Sequence, residues 1–479
     1  MTRKLCAPGL IVLLSAISLT SIASAQTSWW RTYGGRENDI GYSVQQTTDS
    51  GYIIAGSTSS FGPGTPTFSN VYLVKTDSLG DTLWTRTFGG TSNDEGWFVR
   101  QTSDGGYIIA GWTVSFGADN TDVYLVKTSA QGDTLWSRTY GGTSNDVSFS
   151  VQQTCDGGYI VAGTTSSFGA GNGDVYLIKT DASGDTLWTR TYGDTSGEEG
   201  HFVQQTTDSG YIIAGMTSSF GAGGADVYLI KTNAEGDTLW TRAYGGTRND
   251  YVSSVQQTAD GGYVISGWTL SFGAGSYDVY LIKTDYQGDT LWTRTFGGTH
   301  SDGSYSVQQT TDGGYVVAGF TQSFGAGSFD VYLIKTNASG DTLWTRTYGW
   351  LSSEGSYSVQ QTTDGAYVVA GITQSFGAGG FDVYLIKTDS LGLAVAEPLT
   401  GHPVRPTRFL AQPNPFTSFA RVPGHETELF VLSDVTGRQV AICKGDRVGE
   451  GLRPGIYFLS PVDLKTGGPA TATVIKAAF

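Results

Sequence analysis

From residue 29 to residue 393 the apolar positions fall in short blocks, alternating with polar residues or running unbroken for four or five, and no window carries the three-to-four spacing of a helix. Around Trp136 the pattern predicts four strands, at Thr134–Tyr140, 148–154, Tyr159–Thr165 and Asp174–Thr180. Asp156-Gly157-Gly158 separates the second from the third, and Asp-Gly supplies the positive φ of a tight hairpin. A second Gly-bearing turn, at 181–185, follows the fourth.

The block recurs. Its leading tryptophan falls at Trp29, Trp84, Trp136, Trp188, Trp240, Trp292 and Trp344, at intervals of 52 residues after a first interval of 55. A unit this short cannot bury its own apolar face and must stack on its neighbours. Four antiparallel strands repeated seven times predict an all-β, seven-bladed β-propeller over residues 26–393. The first copy, Trp29-Trp30-Arg31-Thr32-Tyr33, has no strands before it, and the last copy lacks this strand after Leu393. Pairing the N-terminal strand with the last three strands completes a seventh blade and removes two exposed edges.

With strands lettered A to D outward, the A–B and C–D turns share one face and are tight. The B–C and D–A connections share the other face and are longer, which makes it the expected place for a site. Across the seven copies, the tyrosines equivalent to Tyr159 and Tyr176 never vary, as core and inter-blade packing demands. Lys179 and Arg190 with their equivalents supply 14 of the 28 basic residues, and are expected to pair with the repeated aspartates at positions such as Asp156, Asp174 or Asp185.

Just before the innermost strand every copy carries a carboxylate: Asp39, Asp94, Asp146, Glu198, Asp250, Asp302 and Glu354. Two readings compete. The seven form an acidic rim at the channel mouth that binds Ca²⁺ or a basic partner, or each accepts N–H bonds from its own loop, which is the favoured reading. Three residues further on the copies diverge, to Tyr42, Trp97, Phe149, His201, Ser253, Tyr305 and Tyr357. Freedom to differ marks a partner-selecting surface or simple drift, and aromatic rings near a rim suit stacking on sugars.

The four histidines are His201, His300, His402 and His425, and no nucleophile–base, metal or phosphate-loop constellation surrounds them, so no enzyme activity is expected. Seven equivalent carboxylates also lack the unlike environments that acid–base chemistry requires. A net charge of −15 argues against nucleic acid as a partner. Arg3 and Lys4, the apolar run 10–22 and Ala23-Ser24-Ala25 read as a secretory signal peptide over 1–25, and no later segment is long and apolar enough to span a bilayer. Cys155 and Cys443 then remain in separate regions, so no disulfide framework is expected.

The Asp181, Gly184 and Trp188 spacing resembles that of pyrroloquinoline-quinone-type propellers, in which a tryptophan docks between blades. The resemblance implies the fold and not the quinone cofactor. After a Pro-bearing linker at 394–406, the segment 407–479 predicts five to seven short strands in a small β-sandwich. Its Pro413, Asn414, Pro415 and Phe416, then Asp434, Gly437 and Arg438, then Gly455 and Tyr457 closely resemble the C-terminal sorting domain of the bacterial type IX secretion system. That resemblance implies recognition by the secretion machinery and passage across the outer membrane. The combined expectation is an exported or cell-surface binding or adhesion module for an extracellular glycan or protein. A polysaccharide-active hydrolase or lyase is the first alternative, and a structural surface component the second.

Overall fold

The computed structural model describes residues 28–394 and, nearer the C-terminus, 429–433, 439–444, 446–448, 455–461 and 472–476. Residues 28–394 form seven four-stranded antiparallel sheets and contain no helix. Blade 1 runs from Asp39 and blade 7 from Glu354. In blade 3 strands A to D are Asp146–Gln153, Tyr159–Thr165, Asp174–Thr180 and Thr186–Tyr192. Strands B and C are buried almost throughout, A lines the axis and D is the exposed outer edge.

Strand A begins at Asp146, two residues before the expected start at 148, so the carboxylate is the first strand residue and not a loop residue. The cause is a β-bulge between Ser148 and Ser150, where Phe149 is an extra residue without a partner on strand B. A bulge shifts the parity of inward and outward positions, which erases the alternation that would have marked the strand's first residues.

The ring closes as predicted. Trp29–Tyr33 pairs antiparallel with Asp382–Lys387, Trp29 opposite Lys387 and Tyr33 opposite Val383, as the outer strand of blade 7. Core clusters are shared by adjacent blades: Ile160, Ala162, Val175 and Leu177 of blade 3 pack on Val203, Tyr211 and Ile213 of blade 4. Each blade thus owns half a core on either face, and closure lets every half find its complement.

Polar links repeat with the same period. Lys179 is buried, and its Nζ donates to Asp156, 2.9 Å away, and to Thr180 O. Arg138 reaches Asp185 of the next blade at 3.4 Å and stacks over Trp136. The lysine thus ties strand C to the A–B turn of its own blade, while the arginine joins neighbours.

The described C-terminal strands, Leu429–Ser433, Gln439–Lys444, Gly455–Pro461 and Ala472–Lys476, form one antiparallel sheet with Leu429–Ser433 and Gly455–Pro461 at its centre. Phe430 and Leu432 are buried. Gly455 and Tyr457 lie in the third of these strands. Pro413, Asn414, Pro415, Phe416, Asp434, Gly437 and Arg438 lie outside the described residues, as do the signal peptide and nearly all of the linker. The second layer of the expected sandwich is not among the described residues either.

Candidate functional site: the central channel

Seven A strands surround a cavity of about 460 Å³ on the axis. The bulge decides what lines its long-loop end. Each unpaired bulge residue is freed from the ladder, and Tyr42, Trp97, Phe149, His201, Ser253, Tyr305 and Tyr357 all line the channel. These divergent positions, read from the sequence as a partner-selecting surface with rings near a rim or as drift, converge inside the channel mouth.

The rings touch in sequence. Tyr42 stacks on Trp97 with centroids 4.2 Å apart, Trp97 meets Phe149 edge-on at 5.2 Å, and Phe149 lies 5.3 Å from His201. On the other side Tyr42 meets Tyr357 at 5.2 Å and Tyr357 meets Tyr305 at 4.8 Å. Blade 5 has only Ser253 here, and Trp268 of its strand B fills the space, 5.3 Å from Tyr305. Each such pair contributes about 0.5–1.5 kcal/mol beyond burial, so the arc is a rigid surface.

Two glutamates sit among these rings. The Trp97 indole N–H donates to Glu95 Oε2 at 3.0 Å, and burial pushes the Glu95 carboxyl up, opposed by its bonds from Trp97 and Tyr42. Glu199 goes the other way: its bond with His201 Nε2, at 3.0 Å, holds it below its usual value against burial. His201 Nδ1 faces Val252 O at 2.8 Å; a carbonyl only accepts, so Nδ1 donates there and the Nε2–Glu199 contact needs a proton of its own.

The seven carboxylates do not form an open acidic rim. Asp39, Asp94, Asp146, Glu198, Asp250, Asp302 and Glu354 are all enclosed, at most 1% exposed. Asp146 Oδ2 accepts from Gly142 N–H at 2.8 Å and Ser167 Oγ at 2.6 Å, tying the D–A loop to the B–C loop. Glu198 does the same with Asp194 N–H, Thr217 Oγ1 and Ser219 N–H. Among the described residues no three His, Cys, Asp or Glu side chains gather as a metal-ligand group, so the geometry provides no multi-carboxylate Ca²⁺ cage.

One relationship escaped the sequence reading. The aspartate that starts strand C lies beside the strand A carboxylate of the next blade: a Cβ on Gly193 would touch both Asp174 and Glu198, and one on Gly349 both Asp330 and Glu354. Burial, reinforced by the adjacent Glu354 or Asp39, raises Asp330 and Asp382 to about 6. In blade 1 the position is Asn70, whose amide donates to Pro63 O at 2.8 Å.

No known protein-family model matches the chain. The chain is 24% identical over 298 residues to Regulatory protein FlaEY of Caulobacter vibrioides, a match covering 54% of this chain and 30% of that protein, so the chain spans about a third of its relative's length. Among solved structures it is similar to a puromycin hydrolase (TM-score 0.48, 13% identity, 91% of this chain and 60% of that one) and to the polysaccharide lyase Uly1 (0.46, 12%, 75% and 91%). It is also similar to PorZ, a surface component of the type IX secretion system of Porphyromonas gingivalis (0.42, 11%, 93% and 60%).

Proposed function

We propose that this protein is an exported or cell-surface propeller that acts as a binding or adhesion module, without enzyme activity, and holds a glycan or protein ligand at the aromatic mouth of its channel. One observation carries the reading: six of the seven positions at which the repeats diverge bring aromatic or imidazole rings to one cavity, where a scaffold alone would repeat a single residue. Ring faces beside polar handles suit sugars, which present C–H faces and hydroxyls together. The signal-like segment at 1–25 and the sorting motifs at Pro413, Asn414, Pro415 and Phe416, at Asp434, Gly437 and Arg438, and at Gly455 and Tyr457 support delivery through the type IX machinery.

A glycan array and pull-downs from purified polysaccharides and envelope proteins test this with the full chain. Retention weakened at least tenfold by Trp97→Ala is the expected result; retention that ignores Trp97→Ala, or none of any ligand, removes the reading.

A second reading, a polysaccharide-active hydrolase or lyase, is favoured by the opposite shifts of Glu95 and Glu199, each bonded to a ring that lines the same channel. Release of reducing or unsaturated ends from a bound polysaccharide, abolished by Glu199→Gln, would establish it over the first.

A further inference from the structure

Beyond the aromatic arc, strand A ends Val-Gln-Gln in six blades and Val99-Arg100-Gln101 in blade 2. Where the first glutamine is present, its Oε1 accepts the N–H of the second glutamine of the next blade: Gln45 from Gln101 at 2.7 Å, Gln152 from Gln205 at 2.6 Å, and likewise for Gln204, Gln256, Gln308 and Gln360. A backbone N–H needs an oxygen, so this fixes each amide with Oε1 toward its neighbour and Nε2 left over as a donor beside the channel.

Arg100 inverts this rung. It offers no oxygen, so Gln153 N–H lacks the acceptor that all six of its counterparts have. A second change falls beside it: Phe98 stands where most blades have a serine, whose Oγ accepts the valine N–H of the next blade, as Ser43 does from Val99 at 3.3 Å. Val151 N–H therefore loses its acceptor as well, two residues from Gln153 on the same strand edge.

Among the described residues Arg100 has no carboxylate partner. Its Nη1 donates to Val99 O at 3.3 Å, and its guanidinium lies 4.3 Å over the Phe98 ring. Glu95, on the same strand, is roughly 16 Å away along the chain at about 3.3 Å per residue. Arg100 is half-buried in the channel lining, and burial lowers its guanidinium only to about 10, so it stays charged. A planar cation, two unmet N–H groups and a set of amide donors form a place for an anion.

We propose that the Arg100 end of the channel binds a small carboxylate, its oxygens bridging the guanidinium and Gln153 N–H and its body lying against Phe98 and Phe202, whose rings meet at 5.5 Å. A carboxylate supplies the two coplanar acceptors that the arginine fork and the vacant rung require. This rests on reading the channel as a ligand site and names the chemistry of the ligand.

The test compares wild type with Arg100→Gln, a variant that restores the residue found in the other six blades. Acetate, glucuronate, glucose and inorganic sulfate are titrated by calorimetry at low ionic strength, with thermal shift in parallel. At least one carboxylate should bind wild type and raise its melting temperature, with affinity falling tenfold or more in Arg100→Gln. Glucose should not distinguish the two proteins, and ligand-free Arg100→Gln should melt no lower than wild type, because the rung to Gln153 is restored. Carboxylate binding equal in both proteins or absent from both overturns the proposal, as does sulfate binding without carboxylate binding. Polysaccharide retention without an Arg100-dependent carboxylate response would leave the binding-module reading intact and remove this one; the reverse result would do the opposite.

Discussion

Trp136 of blade 2 stands edge-on to Tyr159 of blade 3, ring centroids 5.8 Å apart and planes at 66°, with Gly184 of blade 3 beneath the indole. Tyr140 on the same strand donates its hydroxyl to Gly184 O at 2.5 Å. The outer edge of one blade is thus clamped to the C–D turn of the next, and the clamp recurs around the ring, at Trp29 with Tyr52 and at Trp344 with Tyr367. Gly184 serves two ends: its φ of 80° suits glycine, and a Cβ would come within 2.9 Å of the Trp136 ring.

Gly184→Ala should therefore destabilise the ring by about 1–3 kcal/mol, from left-handed backbone cost together with the clash. Gly157, also at positive φ but with open space around it, isolates the backbone part: Gly157→Ala should cost only about 1 kcal/mol. Urea melts of the two variants provide the comparison, and equal losses would mean that the indole contact contributes nothing.

Closure makes a sharper demand. Removing residues 28–33 strips the outer strand from blade 7, exposing the strand Asp382–Lys387 as an edge and uncovering the core around Trp29, Tyr33 and Val383. The truncated chain should melt at least 5 °C lower, since about 1 kcal/mol moves the melting point of a large domain by roughly 2–4 °C and more than that is lost. It should also self-associate in sedimentation velocity. An unchanged melt and a monomeric truncated chain would contradict the closed ring.

The inter-blade acid pairs predict a pH dependence whose sign follows from their shifts. Asp330 and Asp382 are raised to about 6 by burial and a facing carboxylate, so between about pH 4 and 6 the folded chain holds protons that the unfolded chain has released. Their contribution to stability is complete below about pH 4 and lost as pH rises through 6. Asp104 and Asp156 behave oppositely. Burial alone would raise them, but hydrogen bonds, from Lys127 and Thr102 on one and from Thr154 and Lys179 on the other, outweigh it and hold both at about 2. Their contribution is present above pH 4 and lost as pH falls through 2. Asp330→Asn and Asp382→Asn, which copy Asn70, should each gain about 1 kcal/mol at pH 7.5 and nothing near pH 4. Melting temperatures across pH 4–8 decide this, and a gain independent of pH would exclude proton linkage as its cause.

The predicted bounds of strands B and C of blade 3 and of strand D of blade 2, Thr134–Tyr140, coincide with the observed ones, because each is a strand block ended by Gly-bearing turns. Strand A was misplaced because Phe149 breaks the parity on which alternation depends. The divergent positions were visible by comparing copies, but their place inside the channel was not, since a bulge is defined by the partner strand. Arg100 drew no notice as one basic residue among 28. Only the neighbouring blade, which presents Gln153 N–H where an acceptor belongs, makes it unusual.

Local chemistry repeated with a strict period was enough to dictate strands, turns, seven blades and a closed ring, because each of these follows from short-range backbone preference and from the apolar faces that a lone blade leaves bare. Which side chains share the axis was settled by tertiary structure. Tyr42 and Tyr357 meet only once the ring has closed, Arg100 faces Gln153 only through the packing of one blade on the next, and whether a carboxylate is an open ligand or a sealed acceptor depends on the loops folded over it.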